Sequence, residues 1–300
     1  MILTLLFSLI ANAQELPSAP LNVEHPGSKI YAYGVQENKV KCQGRDIVVY
    51  SPTPAKISSY PIVIYGHGQA LDVEHYEQTL RHLAGKGVIA VHPQYDTGFF
   101  DRNWTRMARD FVNLTSCAMK ELKLNVNPEA VVFTGHSKGA YVAGVAAGLA
   151  EKENLSLKAG AVLLFQPAGI DPVIWRELNP QTKVTVIHAD QDTIVKPEIA
   201  EQLYREALVE YKQYIVLQSY KSSNGQEQLG AKHFWPLTKK SAFGGGTESA
   251  FHYYGSWKWL TAAVWDLNDG SRAENTYLYG VDATDKGREN STDSIERNWQ

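Results

Sequence analysis

Short apolar runs alternate with longer amphipathic segments along most of this 300-residue chain. An apolar run of about four to eight residues, bounded by glycine, proline or polar residues, is typical of a buried strand. Such runs predict eight strands, at residues 30–35, 45–50, 61–66, 88–91, 131–133, 161–165, 184–188 and 214–217. The first two form a pair, and we place the turn between them at Asn38 and Lys39.

Between these runs, apolar residues recur at intervals of three and four, which predicts helices. The predicted helices cover residues 72–85, 104–124, 197–209 and 255–267, and a further helix of small residues follows residue 137. Asp72 has the residue type and the position of an N-cap. We also expect an edge strand at 277–280 and a loose polar tail from residue 282.

This alternation predicts an α/β fold with a doubly wound, mostly parallel eight-stranded sheet flanked by helices. Parallel neighbours need crossover connections, and the connections here are helical. In a sheet of this kind, ligands bind at the carboxyl ends of the strands, so functional side chains should follow strands directly. No internal repeat or long linker divides the chain, and we expect residues 14–300 to form a single domain.

The first thirteen residues have the pattern of a signal peptide. An apolar run too short to span a bilayer leads to Ala11-Asn12-Ala13, the small-x-small spacing that signal peptidase accepts. Cleavage before Gln14 would export the mature chain, so we expect a secreted or periplasmic protein. The alternative is a buried or membrane-associated N-terminal segment, since no lysine or arginine precedes the apolar run.

Charge and cysteine content narrow the classes of partner. The formal net charge is −3 and there is no long basic run, so we expect neither nucleic acid nor an anionic membrane as a partner. We also expect no membrane-spanning segment in the mature chain. Neither Cys42 nor Cys117 lies in a metal-ligand spacing, and we expect no metal site. A disulfide between them and two buried thiols are equal alternatives.

The most informative stretch is Gly135-His136-Ser137-Lys138-Gly139, which lies between the fifth predicted strand and the small-residue helix. A G-x-S-x-G pattern in strand–turn–helix context is a nucleophile elbow. Its sharp turn exposes the serine hydroxyl, and its glycines leave room for the backbone. Ser137 is therefore the candidate nucleophile. The side chain of His136 should point into the structure, because the neighbouring Ser137 points outward.

A serine nucleophile needs a base, a carboxylate that orients the base, and backbone N–H groups aimed at the oxyanion. Asp192, directly after the seventh predicted strand, is our first candidate acid, with Asp190 second and Asp171 third. A carboxylate that is not the acid would serve as a turn or capping residue. The candidate base is His233, which follows the last core strand through a loop, and His252 is its rival.

The expected oxyanion donors are two backbone N–H groups. One belongs to Lys138, the residue after the nucleophile, and the other to Gln69 in the loop at 66–69 after the third strand. His67 in that loop is expected to brace it. Four aromatic residues on loops near strand ends are candidates for contact with the substrate, with simple packing as an equal alternative: Trp175, Trp235, Tyr95 and Phe99.

With these motifs in order, the chain resembles the α/β-hydrolase superfamily over nearly its whole length after about residue 30. The segment PIVIYGHGQALDVEHYEQTLRHLAGKGVIAVHPQYD, followed by VVFTGHSKGA, is similar to the chlorophyllase, dienelactone-hydrolase-like and polyester-hydrolase (cutinase-like) branch. Matched residue by residue, the elbow falls on 135–139 and the family's histidine on His233. The acid turn falls on 189–193, which favours Asp192 over Asp190.

Two positions differ from the polyester hydrolases of this branch. Those enzymes usually have an aromatic residue where Gln69 stands and Met or Gln where Lys138 stands, so the resemblance lowers the expectation of polymer-degrading activity. A basic residue at Lys138 resembles the chlorophyllase-like and dienelactone-hydrolase-like members. It either favours an anionic group near the site or is an ordinary residue at a helix start.

Together, the residues and the resemblance predict an exported serine hydrolase that cleaves carboxylic esters through an acyl-enzyme. We expect no cofactor, and a small-molecule or lipid-like ester as the partner. Three alternatives keep the same chemistry: a lipase, a phospholipase similar to platelet-activating-factor acetylhydrolase, and a polyester hydrolase. A non-catalytic ligand-binding protein of the same fold is an alternative of another class.

Overall fold

One large sheet organises the fold. The computed structural model describes residues 16, 18–96, 98, 100–221, 227–269 and 289–290. The first eight strands are β1 (Gly34–Cys42), β2 (Arg45–Thr53), β3 (Tyr60–Gly66), β4 (Ile89–Pro93), β5 (Val126–His136), β6 (Ala161–Phe165), β7 (Lys183–Ala189) and β8 (Lys212–Leu217). Strands β9 (Tyr220–Lys221) and β10 (Glu227–Leu229) form a separate antiparallel pair. The two-residue β11 (Glu289–Asn290) pairs with β8 in the large sheet.

The strands of the large sheet lie in the order β1-β2-β4-β3-β5-β6-β7-β8-β11. The β1–β2 and β2–β4 pairs are antiparallel, and the other pairs are parallel. This confirms the predicted α/β fold with a mostly parallel sheet. Because β3 lies between β4 and β5, the loops after β3, β4 and β5 leave the same edge side by side.

Helices cover both faces of the sheet: α1 (Glu77–Gly85), α2 (Trp104–Glu121), α3 (Lys138–Lys152), α4 (Pro172–Trp175), α5 (Pro197–Glu206) and α6 (Trp257–Asp269). Successive side chains of a strand point to opposite faces. In β3, Ile62 and Ile64 therefore pack in one core with α2, α3 and α5, whereas Val63 and Tyr65 pack in the other with α1 and α6.

The first hairpin turns later than we predicted. Strand β1 begins at Gly34, and Asn38 and Lys39 lie within it, so the turn expected there is wrong. The turn falls instead at Gln43 and Gly44, which have positive φ values of 53° and 77°. Two consecutive residues in the left-handed region form the kind of turn that matches the twist of a two-stranded hairpin.

Two helical segments also differ from the prediction. The helix expected from residue 72 begins as one 3₁₀ turn at Val73–His75, and α1 follows separately. The N-cap role of Asp72 is confirmed, because its carboxylate accepts from the N–H of Glu74 at 3.1 Å. The segment after Asp171, expected as a loop, forms the short helix α4.

A disulfide joins Cys42, at the end of β1, to Cys117 on α2, with Cα atoms 6.1 Å apart. Of the two alternatives that the sequence left open, the structure therefore has the bridge rather than two thiols. It links the edge of the sheet to the helix that covers it.

Several expectations concern residues outside the described part of the chain. They are the signal peptide at 1–13, the edge strand at 277–280 and all of the polar tail except residues 289–290. Among the residues that the structure does describe, no helix is both long and apolar enough to cross a membrane.

Candidate active site

Ser137 lies between the last residue of β5 and the first residue of α3, in a strained backbone conformation with φ 56° and ψ −118°. A non-glycine residue in such a region costs of order 1–3 kcal/mol, and the surrounding structure must hold it there. The Ser137 N–H donates to the carbonyl oxygen of Phe165 at 2.9 Å, and its carbonyl oxygen accepts from the N–H of Ala168 at 3.1 Å. Strand β6 and the loop after it therefore brace the elbow.

The glycines of the elbow allow its backbone to approach β3. A Cβ placed on Gly139 would lie 2.1 Å from the carbonyl oxygen of Gly66, and one on Gly135 would lie 2.5 Å from the carbonyl carbon of Gly139. Neither position has room for a methyl group. The turn is therefore as tight as the G-x-S-x-G pattern predicts.

Two of the predicted partners lie together in hydrogen-bonding contact. Asp192 follows β7, and its Oδ2 lies 2.7 Å from Nδ1 of His233. The Asp192 side chain is 0 % exposed, and its Oδ1 accepts from the N–H groups of Ile194 and Val195 at 2.8 and 2.9 Å. Burial alone would raise the pKa of Asp192, but the hydrogen bonds from His233 and these N–H groups hold it below its usual value.

The other carboxylates that we considered have different partners. Asp190 accepts from the N–H and the hydroxyl of Ser219 at 2.9 and 2.7 Å, and so ties the loop after β7 to the segment after β8. Asp171 caps α4 through bonds from two N–H groups, each of 3.2 Å. Among the described residues, only Asp192 has a carboxylate in contact with the His233 ring.

His136 points into the core, as expected. Burial lowers its pKa well below the usual value, so the ring is neutral. Its Nε2 donates to the carbonyl oxygen of His233 at 2.9 Å, which leaves Nδ1 to accept from the Tyr76 hydroxyl at 2.9 Å. Tyr76 in turn accepts from the N–H of Gly68 at 2.9 Å. The Tyr76–His136 link thus connects the loop after β3 with the backbone of His233.

The two expected oxyanion donors lie on adjoining loops. Gly66 of β3 pairs with Gly135 of β5, so the segment that contains Gln69 leaves the sheet beside the elbow. Nδ1 of His67 donates to the carbonyl oxygen of Gly68 at 3.0 Å, which agrees with a bracing role for His67. The other donor, Lys138, begins α3, where helix N–H groups favour negative charge.

The side chain of Lys138 fits neither of the interpretations that we gave it. Its Nζ lies 2.7 Å from Oδ2 of Asp96 and is buried with it. The ammonium is therefore not free for an anionic substrate group, and Lys138 is not an ordinary exposed residue at a helix start. Asp96 is a residue that sequence reasoning missed, although a carboxylate directly after β4 satisfies the rule that functional side chains follow strands.

The predicted aromatic contacts are buried in the structure. Trp175 is 1 % exposed, packs against α3 and donates from its indole N–H to the Leu203 carbonyl oxygen. Trp235 packs in the opposite core, and Tyr95 is stacked on His67. These positions argue for packing rather than for direct substrate contact. Phe99 lies outside the described residues.

His252, the rival base, is fully buried beside Trp235 and Trp257. Its Nδ1 accepts from the N–H of Ser249 at 3.1 Å, and burial lowers its pKa to about 4. These contacts give it a structural role at the start of the last helix. In the described part of the chain there is also no group of three potential metal ligands.

Comparison with known proteins gives one family. A family model described as Chlorophyllase matches residues 21–198, which include Ser137 and Asp192 but end before His233. A search of curated proteins gave no match. The matched residues make up more than half of the chain and span the elbow and the acid turn. The chain belongs to the chlorophyllase family, a family of α/β-type hydrolases within the α/β-hydrolase superfamily.

Proposed function

We propose that this protein is a serine hydrolase that cleaves carboxylic esters through an acyl-enzyme. The observation that carries this proposal is the 2.7 Å contact between His233 and the buried Asp192, near a serine held in an elbow conformation. Ser137 attacks the ester carbonyl carbon while Nε2 of His233 takes its proton. The ionised Asp192 accepts the bond from Nδ1–H and stabilises the imidazolium that forms.

The tetrahedral intermediate carries its negative charge on the former carbonyl oxygen. We assign its stabilisation to the N–H groups of Gln69 and Lys138, which require no reorganisation because their loops are braced before substrate binds. His233 then gives its proton to the departing alcohol. Water attacks the acyl-enzyme with His233 as base, and the free acid leaves.

Apolar side chains near the proposed site favour an ester with an apolar group. Ile194 follows Asp192 closely and is 59 % exposed, and Phe243 is 57 % exposed and stacked on Phe234, next to His233. Covering such side chains with an acyl or alcohol group releases water and favours binding. This supports esters that are soluble or lipid-like rather than highly charged.

Export to an oxidising compartment is a further part of the proposal. The Cys42–Cys117 disulfide is typical of secreted and periplasmic proteins, and the first thirteen residues have a signal-peptide pattern. Expression of the full chain in a bacterial host followed by fractionation tests this. Mature protein that begins at Gln14 outside the cytoplasm supports export, whereas uncleaved cytoplasmic protein contradicts it.

The function is tested by hydrolysis of p-nitrophenyl esters of increasing chain length by the purified protein. Ser137→Ala, His233→Ala and Asp192→Asn should each lower kcat by about 10⁴–10⁶. Asp190→Asn is the matched control, because it makes the same change in the same loop. It should lose less than about tenfold, since an amide keeps one of the two bonds with Ser219.

The outcome also separates the alternatives. Preference for acetate and butyrate esters, without a rise in rate at the solubility limit, favours a small-ester esterase. Preference for long chains with such a rise favours a lipase or phospholipase. A well-folded wild-type protein with no activity on any ester would favour the ligand-binding alternative.

A further inference from the structure

The side chain of Lys138 forms a buried ion pair beside the nucleophile that the proposed mechanism does not use. Its Nζ lies 2.7 Å from Oδ2 of Asp96, and the two side chains are 2 % and 7 % exposed. Burial of a lysine and an aspartate carries a desolvation penalty that their attraction offsets only in part. Such a pair is therefore weak evidence for a role in stability, and its position indicates another role.

The ion pair joins the two loops that carry the proposed oxyanion donors. Lys138 supplies one donor through its own N–H, and Asp96 belongs to the 95–96 segment after β4. The other residue of this segment, Tyr95, supports the loop that contains Gln69. Its ring stacks on that of His67 with centroids 4.4 Å apart, and its hydroxyl donates to the His67 carbonyl oxygen.

His67 extends this contact to the peptide group that contains the second donor. Its Nδ1 donates to the carbonyl oxygen of Gly68 at 3.0 Å, and this carbonyl shares one planar peptide group with the N–H of Gln69. Fixing the carbonyl direction therefore fixes the N–H direction. Oδ1 of Asp96 lies 4.0 Å from Nε2 of His67, so the Asp96 carboxylate faces both His67 and Lys138.

The 95–96 segment is itself held by the frame of the protein. Arg45 of β2 and Arg106 of α2 both donate to the carbonyl oxygen of Tyr95, at 2.7 and 3.1 Å. Gln94 donates from Nε2 to Oδ1 of Asp96 at 2.9 Å. Asp96 is therefore a fixed partner, against which the first residue of α3 is positioned.

We propose that the Lys138–Asp96 ion pair positions the oxyanion hole by holding the elbow and the loop after β3 at a set separation. Lys138 acts twice, through its N–H as a donor and through its side chain as a positioning residue. Asp96 is a positioning residue only. This inference rests on the proposed function of the site, since it concerns the same acyl transfer.

A positioning role predicts a loss in kcat rather than in substrate binding. Displacement of a catalytic group by about 1 Å can lower a rate about 10²-fold. Lys138→Met should therefore lower kcat by about 10–10² and leave KM within about threefold. The affinity for a phenylboronic acid should fall by a similar factor, because its tetrahedral adduct with Ser137 places an oxygen in the hole.

The double variant Lys138→Met with Asp96→Asn separates positioning from simple stability. Each single variant leaves one buried charge without its partner, which lowers the melting temperature. The double variant removes both charges, so its melting temperature should recover while its kcat stays about 10-fold or more below the wild type. Lys152→Met is the matched control, since Lys152 lies on the same helix in an exposed pair with Glu177.

The results that would overturn the inference are distinct from those that would overturn the proposed function. Wild-type kcat in the double variant, or a loss in Lys138→Met no larger than in Lys152→Met, contradicts the positioning role alone. If the methionine variants do not fold, unchanged kcat in Asp96→Asn also contradicts it. Ester hydrolysis that survives Ser137→Ala contradicts the proposed function, and the positioning role with it.

Discussion

The hydroxyl of Tyr76 makes a strong prediction about stability, because a second buried tyrosine provides its control. Tyr76 is 0 % exposed, accepts from the N–H of Gly68 and donates to Nδ1 of His136. Tyr76→Phe removes both bonds and leaves two buried polar groups without a partner. Each such group costs about 1–3 kcal/mol. We expect the free energy of unfolding to fall by about 2–4 kcal/mol, in the lower part of the summed range, because the loop can relax.

Tyr65→Phe is the control for this variant. Tyr65 is also 0 % exposed and lies in the same core, with its ring centroid 4.9 Å from that of Tyr76, but its hydroxyl has no hydrogen-bond partner. Removal of this hydroxyl should change the free energy of unfolding by less than about 1 kcal/mol, or increase it.

Equilibrium urea unfolding, followed by circular dichroism, measures both variants under the same conditions. Tyr76→Phe should also lower kcat for ester hydrolysis, since the Tyr76–His136 link connects the loop after β3 with the backbone of His233. Equal stability of the two variants would refute this account of the link.

Three further predictions concern the rest of the fold. Replacement of Cys42 and Cys117 by serine should lower the free energy of unfolding by about 2–4.5 kcal/mol, because the bridge closes a loop with a sequence separation of 75; urea unfolding that matches the wild type would contradict this. Burial lowers the pKa of His82 to about 3 and that of His252 to about 4. The unfolded chain therefore binds protons first, and stability should fall by about 1.4 kcal/mol per histidine for each pH unit from 6.5 down to about 4. Melting temperatures between pH 7.5 and 4.5 test this, and a flat profile argues against it. Gly139→Ala should prevent folding of the elbow, because its methyl group would meet the β3 backbone at 2.1 Å; soluble protein with normal activity would be inconsistent with the structure.

Local sequence patterns predicted those features that depend on neighbouring residues. The strands β3 to β8 and the elbow have short-range signals in apolar runs and glycines, and the model contains them close to the expected positions. The first hairpin was misplaced because polar residues such as Asn38 occur both in turns and on the exposed side of an edge strand. Its true turn depends on two residues that accept positive φ.

Contacts between distant residues could not be predicted from these patterns. Asp96 and Lys138 are separated by 42 positions, and they meet only because β4, β3 and β5 lie next to one another. The burial of Trp175 has a similar cause, since it depends on how α3, α4 and α5 pack together. A single sequence shows that such residues follow strands, but not which of them face the site.

The central claim, that Ser137 is the nucleophile of an ester hydrolase, is tested most directly by labelling with a fluorophosphonate. The native protein is treated with the probe, its remaining activity on p-nitrophenyl butyrate is followed, and the labelled peptide is identified by mass spectrometry. The account predicts one adduct per chain, on Ser137, with activity lost in proportion to labelling. An active protein that remains unlabelled, or an adduct on another residue that removes the activity, would contradict it.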